Sequence, residues 1–208
     1  MAKRLYNLQI SKNRCAYSQK QASFALRGVT MNQRIMLTKK LLKTSLTDLL
    51  QTQSIYHISI RELCENAGIN RSTFYKYYGS QFDLLYEMEQ DLLASIEEVL
   101  ALQTDYSTNA IEQILIYLEN DIAFVRLLIN SNVDPEFPKK LFSLPPILRM
   151  LNELMAGAPE EESEYRHRFL LFGAYEAVRT WVNKDDRERP EWLAAFLYRT
   201  IMTSSRVV

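Results

Sequence analysis

The chain is predicted to be all-α, with a small N-terminal helix-turn-helix domain followed by a larger helical domain. Three observations lead there. Apolar residues recur at spacings of three and four through most of the sequence, the period of a helix with one buried face. Only five glycines and six prolines interrupt 208 residues, too few for a fold built on many turns. At 47% apolar and 24% charged, the composition is that of a folded globular protein, not a disordered one.

The elements follow in order. Residues 1–33 read as a flexible basic arm: residues 1–30 carry six Lys/Arg, no acid and weak periodicity. Met31 opens "MNQRIMLTKKLL", so a start there would leave the arm out, and both starts stay open. From residue 34, Thr38, Leu41, Leu42, Ser45, Leu46, Leu49 and Leu50 make one stripe, with Lys39, Lys40 and Lys43 off it. That predicts a first helix ending near Gln53. Ser59 followed by Glu62 is a capping box for a second helix, whose inward positions are Ile60, Leu63, Cys64 and Ala67 and whose stop is Gly68. Asn70 caps a third helix that reaches Tyr78-Gly79, and Ser80 with Asp83 opens a fourth that runs to about Gln103.

Beyond it, Ile111, Ile114, Leu115, Leu118, Ile122, Val125 and Ile129 form one stripe, widened by Tyr117, Phe124 and Leu128. A single helix this apolar belongs at the centre. Residues 134–146 hold four of the six prolines and predict a break, with a short helix near Ile147–Met155 after it. Pro159 with Glu160, Glu161 and Glu162 fits a helix start, where acids meet the positive dipole end. That helix runs through Phe169 and Phe172 to about Val182, and Pro190-Glu191 opens the last one.

Charge separates the two parts. Residues 1–85 hold 13 Lys/Arg against 4 Asp/Glu, and residues 86–208 hold 12 against 21, so a net charge of zero conceals +9 and −9. A basic first part suggests a polyanionic partner; solvated charge clustered by chance is the alternative. In the third helix Arg71, Ser72, Tyr75 and Lys76 share one face, while Phe74 and Tyr78 share another that suits the core. Enzymatic chemistry has no residue set to rest on. His57 and His167 stand in no ligand spacing, phosphate-cradling and nucleophile-elbow motifs are absent, and no metal or cofactor is implied. Cys15 and Cys64 form no metal or redox spacing, which points to a reduced cytoplasmic protein. No run approaches 18 apolar residues, and no apolar stretch follows Lys3-Arg4, so neither a membrane span nor a secretory signal is expected. Tyr117, Phe124, Phe142, Phe172, Tyr175 and Trp181 form an aromatic set that either lines a small-molecule effector pocket or is plain core.

The stretch "ISIRELCENAGINRSTFYKYYGSQFDLLYEM", with the helix before it, resembles the N-terminal domain of the TetR/AcrR family of transcription regulators. Ser59, Ala67-Gly68-Ile69, Arg71, Thr73-Phe74-Tyr75 and the aromatic-Gly-Ser linker carry the likeness over residues 34–86. It implies a DNA-binding unit there and a ligand-binding and dimerisation unit over 87–208. "FLLFGAYEAVRTWVNKDDRERPEWLAAFL" looks like the two final helices that pair relatives into homodimers. By the same resemblance Ser59, Asn70, Arg71, Ser72, Thr73, Tyr75, Lys76, Tyr77 and Gln81 form the DNA-binding set. Arg71 and Ser72 would reach base edges, while Ser59, Tyr75, Lys76, Tyr77 and Gln81 would meet phosphates of a double-stranded operator. The expected activity is that of a homodimeric regulator, a repressor on a palindromic operator, relieved by a small-molecule effector. Three positions depart from the family's habit: Gln81 stands where lysine is usual, Tyr77 where histidine is commoner and Tyr78 where phenylalanine is commoner. Gln81 and the weak charge of the second helix leave room for an alternative, a regulator of the same fold acting through a partner protein.

Overall fold

The computed structural model describes residues 31–101, 107–130, 133–154 and 160–205. Within them the chain is all-helical. The helices are α1 (Met31–Leu50), α2 (Ile60–Ala67), α3 (Arg71–Phe74), α4 (Gln81–Ala101) and α5 (Thr108–Glu119). After these come α6 (Ile122–Ile129), α7 (Phe137–Phe142), α8 (Pro145–Leu154), α9 (Glu160–Asn183) and α10 (Pro190–Ser205). Residues 1–30 of the expected arm and Pro159 lie outside the described residues. Residues 31–33, read as the end of that arm, belong to α1, because the helix extends about two turns past its apolar stripe.

Helix α1 packs on α2 and on α4, and α2 packs on α3. Leu42 and Leu46 of α1, Leu63 of α2, Phe74 of α3 and Leu84 of α4 are all fully shielded from solvent. Burial of each such side chain contributes about 1.5–3 kcal/mol, which is what makes four residues of α3 hold a fixed position. Polar stitching supplements this. The buried Ser45 hydroxyl donates to the Leu63 carbonyl (2.9 Å) and accepts from Asn66 Nδ2 (3.1 Å), tying α1 to α2. Gly68 ends α2 at φ +67°, a left-handed conformation that costs an L side chain about 1 kcal/mol or more.

The stripe over residues 111–129 is not one helix. Asn120 and Asp121 divide it into α5 and α6, with Asp121 at φ −136° and ψ 51°. A period count assumes a continuous backbone ladder and does not register the two short polar residues at this break. The proline-rich segment is also more ordered than expected. It contains α7, because Pro138 sits in a first turn where its missing N–H costs nothing. Helix α10 packs on α5, α9 on α6, and the C-terminal half of α4 on α5 and α8. The link between α9 and α10 is pinned. Arg126 of α6 donates to the carbonyls of Val182 and Lys184, and the Trp181 indole N–H donates to the Glu188 carbonyl (2.6 Å).

One apolar cluster runs from Leu42 through α4 to Leu197. The boundary expected at residues 86/87 falls inside α4, which is therefore common to both halves. Among the described residues no helix is long and apolar enough to cross a membrane.

Candidate nucleic-acid interface

The short helix α3 is held from both ends. At its start Asn70 Oδ1 accepts from the Ser72 amide (3.0 Å) and from the Ser72 hydroxyl (3.1 Å). Beyond Phe74 the chain tightens: Lys76 and Tyr77 bond back to Thr73 and Phe74 in i to i−3 fashion, so the α-helix ends four residues earlier than its sequence suggests. Phe74 and the nearly buried Tyr78 anchor this turn, their ring centroids 5.5 Å apart.

The opposite face is open. Arg71, Ser72, Tyr75 and Lys76 are exposed, Tyr75 at 52%. Among the described residues neither Arg71 nor Lys76 has an ion pair. Glu65, the acid a surface pair for Arg71 would have used, is bonded to Arg61 at 2.9 Å. Because Ser72 gives its hydroxyl proton to Asn70, it offers lone pairs outward and reads as an acceptor. Asn70 is exposed, and its Nδ2 keeps both donors; Thr73 and Tyr77 are half-buried at the edges of the face.

Two residues of the phosphate set have prior commitments. The exposed Ser59 caps α2, its Oγ accepting from the Glu62 amide (3.2 Å) while its own proton stays available. Glu62 does not complete the reciprocal half of the box, because its carboxylate takes the Gln53 amide instead (2.7 Å). Gln81 is half-buried and directs Nε2 at the Ile55 carbonyl (3.4 Å), which leaves one amide hydrogen for any anion.

Sequence reasoning missed the polar network behind this face. Tyr78 Oη donates to Glu87 Oε1 at 3.0 Å, and Lys39 Nζ lies 2.7 Å from Glu87 Oε2. Lys43 Nζ is 2.9 Å from Glu87 Oε1 and also pairs with Asp91. Burial by itself would raise the Glu87 pKa. The hydrogen bonds from Lys39, Lys43 and Tyr78 outweigh it and bring the group down to about 2. Burial and the same carboxylate push the Tyr78 phenol well above its ordinary value. A signal was present. Lys39/Lys43 and Glu87/Asp91 are doublets of opposite sign at matching i, i+4 spacing, legible once α1 is known to lie along α4.

The aromatic set divides. Phe142 and Tyr175 line a cavity of about 170 Å³ between α4, α5, α7 and α9, whose other walls include Leu92, Ile96, Ile114, Leu118 and Leu171. The Tyr175 hydroxyl is spent on the Ile129 carbonyl (2.7 Å), so the walls offer a ligand no free polar group. Tyr117 and Phe124 line a neighbouring cavity of about 210 Å³ that also meets Asp91, Asn120 and Asp121. Phe172 is 54% exposed and touches Phe142 edge-on at 5.5 Å. Trp181 lines neither cavity. It is buried in the core, capped by the Arg187 guanidinium over its ring.

A buried carboxylate lies one turn from the apolar cavity. Glu89 precedes Leu92 on α4, its side chain 4% exposed, and Lys140 of α7 meets it at 2.8 Å. Lys140 also reaches Asp134 at 2.6 Å. Burial raises the Glu89 pKa and the Lys140 ammonium only partly offsets that.

Residues 105–203 match the family model TetR_C_8, a transcriptional regulator C-terminal region. Over 167 residues the chain is 22% identical to the HTH-type transcriptional regulator YxbF of Bacillus subtilis (strain 168), 76% of this chain and 43% of that protein. It is 30% identical over 98 residues to the HTH-type dhaKLM operon transcriptional activator DhaS of Lactococcus lactis subsp. lactis (strain IL1403), 45% of this chain and 50% of that one. The chain thus spans about half the length of these curated relatives. Its fold is similar to the crystal structure of a TetR transcriptional regulator from Streptococcus agalactiae 2603V, with a TM-score of 0.60 and 23% identity. That likeness covers 82% of this chain and 96% of the other. The dihydroxyacetone kinase operon activator DhaS follows at 0.53 and 18%, covering 81% and 96%.

Proposed function

We propose that the chain is a helix-turn-helix transcriptional regulator of the TetR family and that it binds operator DNA as a homodimer through α3. One observation carries the reading. Arg71 and Lys76 lie exposed beside Ser72 and Tyr75 on a helix whose other face is locked into the core, with no ion pair among the described residues. An unpaired cationic edge on a rigid short helix suits the major groove, where the first residues reach base edges and the rest meet phosphate.

In this reading residues 34–86 are the reading unit and 87–208 the dimerisation and effector unit. Dimerisation is supported by an exposed aromatic stripe: Tyr165, Phe169 and Phe172 recur at helical spacing on α9, and Trp192 stacks on Phe196 in α10. Contiguous exposed aromatics on a soluble chain mark an interface. Two heads would then read half-sites of a palindrome about 34–36 Å apart. Occupancy of a promoter by such a dimer represses by exclusion, in the cytoplasm, where a bacterial regulator meets its DNA. An effector in the cavity of Phe142 and Tyr175 would change head spacing by favouring one dimer geometry.

Selection of bound fragments from random double-stranded DNA, followed by sequencing, tests this directly. A palindromic consensus is expected, and Arg71→Ala should lose about 1–3 kcal/mol, concentrated at one base pair of each half-site. No enriched sequence at any salt concentration would instead favour action through a protein partner. The exposed Tyr56–Phe82 pair, 5.4 Å apart beside the engaged Gln81, supports that second reading.

A further inference from the structure

We infer that Glu87 is a positioning residue for sequence recognition, acting on α3 through the Tyr78 hydroxyl; the inference rests on the DNA-binding reading above. Three elements meet at this one carboxylate. Oε1 takes the Tyr78 phenol at the exit of α3, Oε2 takes Lys39 of α1, and Lys43 closes the cluster from the next turn. Lys39 also sits 5.5 Å over the Tyr78 ring, so the cation that holds Glu87 steadies the aromatic as well. A helix of four residues has almost no stability of its own. Its aim is set by its anchors: Asn70 before it, Phe74 within it, and Tyr78 after it.

Phe74 fixes depth by burial, which is non-directional. The phenol-to-carboxylate bond fixes rotation about that anchor, because a charge-assisted hydrogen bond has a preferred line as well as strength. Arg71 and Ser72 are exposed in the turn that Phe74 anchors. A small rotation there alters their approach to base edges and barely affects the charge presented to phosphates. Glu87 therefore governs discrimination between sequences more than overall affinity for DNA.

Glu87 belongs to α4, the helix that continues past Met88 to Leu92 and Ile96 in the cavity wall.

The experiment compares affinity for the selected operator with affinity for random duplex, using the full chain. Tyr78→Phe keeps the buried ring and deletes only the hydroxyl. It should lower the operator-to-random ratio about three- to tenfold, with random-duplex affinity unchanged and the thermal midpoint within a few degrees. Glu87→Gln keeps an acceptor for the phenol and should retain most of the ratio. Glu87→Leu should lose it as Tyr78→Phe does, and the double variant Tyr78→Phe/Glu87→Leu should lose no more than either. An unaltered ratio in Tyr78→Phe, or operator and random affinities falling in parallel with the thermal midpoint, would overturn the assignment. Absence of any preferred sequence for the parent chain would count against the DNA-binding reading instead.

Discussion

Lys140→Met is the most informative single change to stability. The substitution keeps the aliphatic stem and removes the ammonium that lies 2.8 Å from Glu89 and 2.6 Å from Asp134. At 2.8 Å the gross attraction is about 6 kcal/mol with the effective dielectric suited to such sites. Most of it only offsets the desolvation of the two charges, so the intact pair adds little. Breaking it is another matter, because Glu89, with 4% of its side chain exposed, would keep its charge without a partner. Removal of one partner from a buried pair costs about 3–5 kcal/mol. Lys140 is 36% exposed, so water recovers part of the loss, and about 2–4 kcal/mol is expected at pH 7.

The pH dependence supplies the sign. Burial already holds the Glu89 pKa above its ordinary value, and loss of the ammonium raises it further. A carboxyl whose folded pKa is raised penalises folding above that pKa, and the penalty fades as pH falls and the group protonates. Urea unfolding at fixed protein concentration should therefore give a smaller gap between parent and Lys140→Met at pH 5 than at pH 7. Glu89→Gln/Lys140→Met should recover much of the stability, since an amide can stay neutral there. A cost below about 1 kcal/mol at pH 7, or a gap that widens on acidification, would refute the account of Glu89 as a charged, buried group.

Glu87 behaves in the opposite sense. Its folded pKa of about 2 lies below the ordinary carboxylate value, so its stabilisation is complete above about pH 4.5 and is lost as pH falls towards 2. Glu87→Gln should flatten the decline in unfolding free energy between pH 5 and 2.5 by about 1–2 kcal/mol after allowance for solvent screening; a decline as steep as the parent's would contradict this. Phe74→Ala should cost about 3–5 kcal/mol, because a fully buried ring with Tyr75 and Tyr78 against it leaves a hole the short helix cannot fill. Chemical denaturation measures that, and a cost under about 1 kcal/mol would mean that α3 is anchored elsewhere. Phe169→Glu, at a position 70% exposed, should leave folding of the protomer intact and shift sedimentation from dimer to monomer. Sedimentation identical to the parent's would remove this stripe from the interface.

Local rules made the first helices legible. Capping at Ser59 and Asn70, the stop at Gly68 and the Ser80/Asp83 box are interactions over two to four residues, so the sequence contains both partners side by side. The outward edge of α3 was legible for the same reason: residues 71, 72, 75 and 76 share a face whatever the helix packs against. The division of the 111–129 stripe was not, because a period count records which residues are apolar and ignores a pair of polar ones. The short extent of α3 escaped for a related reason, as its last turn is tightened by the burial of Phe74 and Tyr78 and not by any stop residue.

What the sequence by itself determined is therefore the order of the first four helices, the capping at Ser59, Asn70 and Ser80, and the set of side chains on one face of α3. The tertiary structure alone decided which charges are already spent. Lys39 and Lys43, free cations to any linear reading, are paired with Glu87 and Asp91 48 residues away, while Arg71 has no ion pair among the described residues and Glu65 is paired with Arg61. It likewise separated Phe142 and Tyr175, which wall a cavity, from Trp181, which fills the core. The physical reason is common to both. Pairing and enclosure depend on distances across helices that only packing sets, whereas helix period and capping depend on neighbours along the chain.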